Sequence, residues 1–453
     1  MMDGFGFRSS HSPRLFGPAL GAALALTLAL ACTRAPESAG STHEFTVAER
    51  DGVTVARTTG GPTYEGEIFV YEKVLEIRPD ESRPETLFFF LAGRAIDDEG
   101  NLYVSDANAN RISVFDPEGN WLRDIGRQGQ GPGEFQTPTQ VEYADGVVRV
   151  RDVRKRGTHL FTPTGELIGF ERWPAFTVVG SMVPQIWPTA TGGTVIHLLA
   201  ESRMVDRLEG RPGDNTARNR AAVLVYDEEG TEIARVEGPW VKMAELRTYT
   251  WSGREATSQV PVYFAPQPWG GYAPGRGVWL STGAEPSIEW YGLDGVLFER
   301  WEIDLPAVPV TDEDRALVQE LLAEQVRDAA NPEPGIETSP IERLRVLADN
   351  PLFADTKPYW GIPRVDTYGF MWLPSQPPVG NSVERALAER GETSRFFRIL
   401  SPAGEYLGDT TPPAAGTIER GHLLTSATDP ETEERYPVVY RMRPAVEGLE
   451  YGG

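Results

Sequence analysis

The chain has 453 residues, with 43 Lys and Arg against 66 Asp and Glu, and a formal net charge of −23. That acidity excludes nucleic acid as a partner, because phosphates reward a basic footprint. A single cysteine excludes an internal disulfide framework and a multi-cysteine zinc site, while 47 Gly and 37 Pro favour short strands joined by turns over long helices.

At the start of the chain, Arg8 and Arg14 outweigh Asp3, and an apolar run rich in Ala and Leu extends from Leu15 to Ala31. Ala29-Leu30-Ala31 then leads into Cys32, the lone cysteine. A basic start, an apolar stretch and small residues at a cut site make a secretory signal. The placement of Cys32 resembles a bacterial lipoprotein signal, with Ala29 where such signals usually carry Leu. The resemblance implies that Cys32 is lipidated and becomes the mature N-terminus. Residues 1–31 are therefore expected to be a signal peptide and 32–45 a tether between lipid and domain. Residues 1–60 as a whole read as signal, tether and irregular approach. Without residues 1–31, which carry two Arg and one Asp, the remainder stands at −24.

An internal repeat dominates the rest of the chain. Residues 95–125, AIDDEGNLYVSDANANRISVFDPEGNWLRDI, return 46 positions later as VEYADGVVRVRDVRKRGTHLFTPTGELIGF, pairing Gly100 with Gly146, Asp106 with Asp152, Phe115 with Phe161 and Gly119 with Gly165. Arg111-Ile112-Ser113-Val114-Phe115 alternates with the period of a strand. A turn glycine opening an apolar strand recurs at Gly100, Gly146, Gly193, Gly277, Gly369 and Gly421. A tight turn recurs at Gly119, Gly165, Gly230, Gly295 and Gly404, so one marker occurs six times and the other five. That mismatch is what a ring of four-stranded units shows when its last unit borrows an outer strand from the N-terminus, and Phe69 to Ile77 has the pattern of that strand.

The unit GNLYVSDANANRISVFDPEGNWLRDIG, continuing as RQGQGPGEFQTP, resembles the six-bladed propellers of the NHL and TolB-like group. The likeness is specific over residues 95–170 and weaker beyond. The fold expected is all-β: a six-bladed propeller over 46–446, closed by an N-terminal strand, with a small helical insertion at 302–361 between blades four and five and a tail at 447–453.

Extra residues fall at 198–222, 237–258, 302–361 and 375–394, all on the face that carries the turns between second and third strands and the links between blades. Loops on a rigid scaffold carry binding, which marks that face as the functional one. Within 302–361, Thr311 precedes an acidic first turn and Leu317, Leu321, Leu322 and Val326 form one apolar stripe, while Ser339-Pro340-Ile341-Glu342 opens a second helix. The stripe suits a lid packed on the ring; a partner-docking hairpin is the other reading.

The chemistry is sparse. No metalloprotease helix, nucleophile elbow or phosphate-loop lysine motif occurs in the sequence. The run from Gly126 to Gly133 precedes a strand, as an inter-blade loop would. Some enzymes of the resembled group are lyases that hold a metal with histidines near the ring axis. Here His43, His159, His197 and His422 fall at unlike positions, so no metal residue is assigned. Asp106, Asn108 and Asn110 have calcium-loop spacing, but Arg111 and Pro117 break that pattern, which leaves calcium a weak alternative to Asx turns. Arg149, Arg151, Arg154, Lys155 and Arg156 make a basic cluster in an acidic chain. Arg154, Lys155 and Arg156, with Asp106, Asn108 and Arg127, are the ligand-binding candidates, able to meet a carboxylate or phosphate; pairing with acidic loops is the equal alternative. Trp173, Trp240, Trp251 and Trp360 in the links could stack on sugar or peptide or anchor the core. The sequence thus reads as a lipid-anchored protein of the bacterial envelope, facing the periplasm or the cell surface. It would be a non-catalytic binding or scaffold module for a protein, peptide or glycan. A propeller enzyme using the same face, a metal-dependent lyase or lactonase, is the alternative.

Overall fold

A computed structural model describes residues 43–452 apart from 175–184, 190–191, 202–215, 252, 331–340 and 376–395. The chain is all-β, a six-bladed β-propeller built from four-stranded antiparallel units. Blade one comprises Leu91–Ile96, Leu102–Asp106, Arg111–Phe115 and Trp121–Ile125. Blade two comprises Pro138–Ala144, Val147–Asp152, Gly157–Phe161 and Leu167–Arg172. Both match the repeat.

The strand sequences follow from where each strand sits. Leu102–Asp106, second in its blade, is buried at every position, because its two faces pack against the neighbouring blades. Trp121–Ile125, outermost, buries only Ile125. Clusters of apolar side chains join successive blades. Ala95, Ile112, Val141 and Val148 bridge blades one and two, and Trp269, Trp290, Trp301, Met371 and Leu400 bridge blades four and five. Ile96, Val104, Leu424 and Val439 bridge blade six back to blade one. At Gly93 the first strands of blades one and two approach so closely that a Cβ would lie 2.8 Å from the Gln140 Cα. No larger residue fits there without moving backbone.

The N-terminal strand behaves as the marker count requires. Phe69–Glu76 pairs antiparallel with Arg435–Pro444 and is the outermost strand of blade six, whose other strands are Thr417–Glu419 and His422–Thr428. Upstream of it the structure corrects the sequence reading. Residues 44–59, taken as tether and irregular approach, form a hairpin of Glu44–Arg50 and Val53–Thr59. Its second strand runs parallel to Leu297–Ile303 and extends blade four outward, burying Val55, Ala56 and Thr58. Turn residues Asp51 and Gly52 both have positive φ, the conformation of a tight two-residue hairpin. The repeat signal missed this hairpin because it adds to a blade without being part of one. The C-terminal segment is likewise no loose tail, since the Tyr451 ring packs on Phe69, Tyr368 and Phe370.

Of the blade-three insertion at 198–222, residues 202–215 lie outside the described residues, and its described end joins the link after it in one structure. Thr216–Tyr226 outgrows its blade, and the hairpin Val241–Trp251 with Arg254–Tyr263 pairs onto the overhang. Against this ribbon packs the helical insertion. Helix α1, Asp312–Ala330, buries Val318, Leu321 and Leu322 against Tyr263, Phe264 and Val310. Helix α2, Ile341–Ala348, adds Leu347 and Ala348 to the same cluster. A reciprocal cap starts α1: the Asp314 amide donates to Thr311 Oγ1 (3.2 Å), and the Thr311 amide to Asp314 Oδ2 (2.9 Å). The apolar stripe therefore packs on this ribbon and the link beside it, not on the ring as expected, and it does not project outward. The proline cap of the second helix and the insertion at 375–394 lie outside the described residues, apart from Ser375. Among the described residues, no helix is long and apolar enough to cross a membrane.

Candidate functional site

The face chosen from sequence has the predicted neighbours but a different purpose for several side chains. Asp106 ends the second strand of blade one and is fully buried. Its Oδ1 accepts the amides of Phe90 (3.1 Å), Asn108 (3.2 Å) and Ala109 (3.1 Å), and Oδ2 that of Phe89 (2.9 Å). Asp152, its repeat partner, accepts the amides of Gln136 (2.7 Å), Thr137 (3.2 Å) and Lys155 (3.1 Å). In both blades a carboxylate at the end of strand two clamps the incoming link. Asp106 is thus a structural clamp and is withdrawn from the ligand-binding candidates, because its oxygens are already committed to backbone. Asn108 is exposed in the same turn.

The basic cluster divides the same way. Lys155 donates from Nζ to the carbonyls of Gly131 (3.0 Å) and Glu134 (2.6 Å), tying its turn to the link between blades one and two. Arg127 is 81% exposed and paired with Glu134 at 2.9 Å. Arg151 donates to Glu142 (3.1 Å) and to the carbonyl of Ile186 (2.6 Å). Arg154 and Arg156 are exposed, and Arg156 has positive φ. Of the six candidates, Asp106 and Lys155 hold the scaffold, while Asn108, Arg127, Arg154 and Arg156 remain on the surface.

The four described histidines occupy separate surroundings. His159 is buried among Phe135, Phe161 and Phe170, and His197 accepts the Gly270 amide at Nε2 (3.2 Å). Burial lowers both to about 4, so both are neutral at neutral pH. His43 lies beside Glu405 at 3.0 Å, and His422 faces the Arg420 carbonyl.

The structure reveals a site that sequence reasoning missed. First strands of all six blades line one cavity of about 420 Å³, within the range of small-molecule sites. Arg94, Gln140, Gln185, Trp187, Tyr272, Arg364, Asp366 and Glu419 are among its walls. Asp366 is spoken for, because it accepts Trp372 Nε1 (2.9 Å), the Tyr451 hydroxyl (2.9 Å) and the amides of Tyr368 and Phe370. Among the described residues Glu419 accepts the Ile96 amide alone, at 3.4 Å. Burial, with Glu142 nearby, raises its carboxyl to about 8, so at neutral pH it holds a proton and presents a donor. Glu419 is half-buried and Arg364 is exposed, and both line the cavity. Arg94 has no hydrogen-bond or ion-pair partner among the described residues, and its Nε is buried and unsatisfied. Burial and the neighbouring Arg435 lower it to about 10. Arg364 donates from Nη1 to the Gly416 carbonyl (2.5 Å) and has no acidic partner among the described residues. The sequence held one trace of this site: Arg94 and Gln140 stand at equivalent positions of the 46-residue repeat, each interrupting an inner strand with a polar side chain.

Comparison with known proteins bears on the fold. Residues 94–145 match the DUF5128 family model, described as a 6-bladed beta-propeller. No curated protein matches the chain in sequence. Among solved structures, a candidate exported protein from Bacteroides fragilis is similar at 11% identity and TM-score 0.42, covering 85% of this chain and 98% of that one. A duf4221 family member from Bacteroides vulgatus is similar at 12% identity and TM-score 0.35, covering 84% and 99%. Catalytically inactive virginiamycin B lyase from Staphylococcus aureus is similar at 11% identity and TM-score 0.30, covering 82% and 99%.

Proposed function

We propose that this protein is a lipid-anchored propeller of the NHL and TolB-like type in the bacterial envelope, attached through Cys32 and acting as a non-catalytic binding or scaffold module. Its partner is a protein, peptide or glycan reached through the loop-bearing face and the cavity between the blades. The observation that supports binding most is the cavity itself, where six first strands place polar side chains around one space and leave Arg94 unsatisfied. An unpaired buried cation costs folding energy, and such costs are characteristic of positions kept for a ligand. Cys32 lies outside the described residues, and the signal pattern alone supports the anchor.

Native mass spectrometry of the full-length protein, purified in detergent after incubation with envelope extract, tests this reading. A bound species leaving with unchanged mass supports a binding module. Conversion of that species over time would assign the cavity to an enzyme instead.

A further inference from the structure

Several arginines of this chain are ion-paired, whereas the two that line the cavity, Arg94 and Arg364, have no ion pair among the described residues. Arg151 is paired with Glu142, Arg276 with Glu299, and Arg420 with Asp98. In a chain with 66 acidic residues, partners are easy to supply. Yet neither cavity arginine has one among the described residues, and the charge that bears on Arg94 is another cation, Arg435. Neither acidic group on the same wall forms an ion pair with them. Asp366 is saturated by four donors, and Glu419 has Glu142 and Arg420 as its charged neighbours. The cavity wall thus carries two guanidinium groups without a carboxylate partner among the described residues, in an acidic protein.

From this arrangement we propose that the cavity binds a ligand carrying two carboxylates, one to each guanidinium. A guanidinium fork matches a carboxylate with two parallel N–H donors, and a partly dehydrated site strengthens both bonds. Gln185 supplies a further amide donor on the same wall, the Gln140 amide already donating to Glu142 Oε1 (2.7 Å), and a protonated Glu419 supplies a hydroxyl donor. The carboxylates arrive on a free dicarboxylic acid or on acidic side chains of a peptide, and the binding chemistry is the same. This inference rests on the binding-module reading and narrows its ligand.

The experiment titrates full-length protein in detergent, by calorimetry at fixed ionic strength, with succinate, glutarate and adipate. Further arms use a capped Glu-rich hexapeptide and inorganic phosphate. One dicarboxylate or the peptide is expected to bind, with Arg94→Gln and Arg364→Gln each weakening it about 10-fold or more. Arg94→Lys, which keeps the charge but loses the fork, should fall between, and Arg443→Gln, an exposed residue of the strand Arg435–Pro444, should match wild type. Without ligand, Arg94→Gln should melt no lower than wild type, because it removes an unpaired cation. That separates loss of binding from loss of folding. Binding unchanged in both glutamine variants overturns the site, and binding of phosphate alone overturns the carboxylate assignment. If no carboxylate binds but an envelope species is retained and lost in Arg94→Gln, the ligand class is wrong and the binding-module reading stands. No bound species of either kind overturns both.

Discussion

Replacing Asp106 by Asn tests whether the second-strand aspartates are structural clamps. The substitution keeps size and shape but removes charge and one acceptor. If the Asn oxygen takes the Oδ1 position, the bonds from Phe90, Asn108 and Ala109 survive as neutral ones, while the side-chain NH2 faces the Phe89 amide and that bond is lost. Bonds to a charged acceptor contribute about 1.5–3 kcal/mol and neutral ones about 1 kcal/mol. Losing one and weakening three predicts a cost of at least about 3 kcal/mol, a large share of the roughly 5–15 kcal/mol that holds a domain together. Urea unfolding followed by tryptophan fluorescence measures it, and hydrogen exchange should show early opening around Phe89 and Phe90. Asp152→Asn, with three amides on its carboxylate, should behave alike. Asp116→Asn, in an exposed turn, is the control and should stay within about 1 kcal/mol. An Asp106→Asn cost below about 1 kcal/mol, or equal to the control, would refute the clamp and return Asp106 to the ligand-binding candidates.

Cys32→Ser should leave a folded protein that no longer partitions into detergent; membrane association persisting after high salt would remove the lipid anchor. Deleting residues 1–42 should leave the urea midpoint unchanged, whereas deleting 1–60 removes the buried Val55, Ala56 and Thr58 and bares the edge of Leu297–Ile303, lowering stability by about 2–4 kcal/mol and promoting aggregation; equal midpoints would detach the hairpin from blade four. Lys155→Ala should cost about 1–3 kcal/mol because two carbonyls lose their donor, while Arg154→Ala should be neutral, and the reverse order in urea melts would contradict the assignment of Lys155 to the scaffold. Glu419 is raised from 4.5 to about 8 by burial and by Glu142, against the Arg420 charge and the Ile96 amide. Its folded form keeps a proton that the unfolded chain releases, so its contribution is complete below pH 4.5 and is lost as pH rises to about 8, by about 1–4 kcal/mol after screening by cavity water. Glu419→Gln should flatten that alkaline decline, and an unchanged pH profile in the variant would refute it.

How much was legible from sequence depended on whether a feature repeats. The turn glycines and the Asp106–Asp152 pair recur with one period, so blade count, strand order and the closing strand at Phe69 could be counted. What the aspartates do could not, because an Asx residue in a turn looks the same whether it faces a ligand or its own backbone. The hairpin at 44–59 was hidden because it occurs once and lies beside a convincing signal. The ribbon was hidden because Thr216–Tyr226 and Val241–Tyr263 read as separate insertions until they pair. The cavity was hardest, since each blade contributes only a few residues to it. Arg94 and Arg364 lie 270 positions apart, and no local pattern says that they share a space.

The most direct test of the central claim is native mass spectrometry of the full-length protein, wild type beside the Arg94→Gln, Arg364→Gln double variant, after incubation with the same envelope extract. A carboxylate-bearing species should be retained by the wild type with unchanged mass and be absent from the double variant, both proteins melting alike without ligand. Equal retention by the two proteins, or conversion of the species by the wild type, would contradict a non-catalytic module that binds through these two arginines.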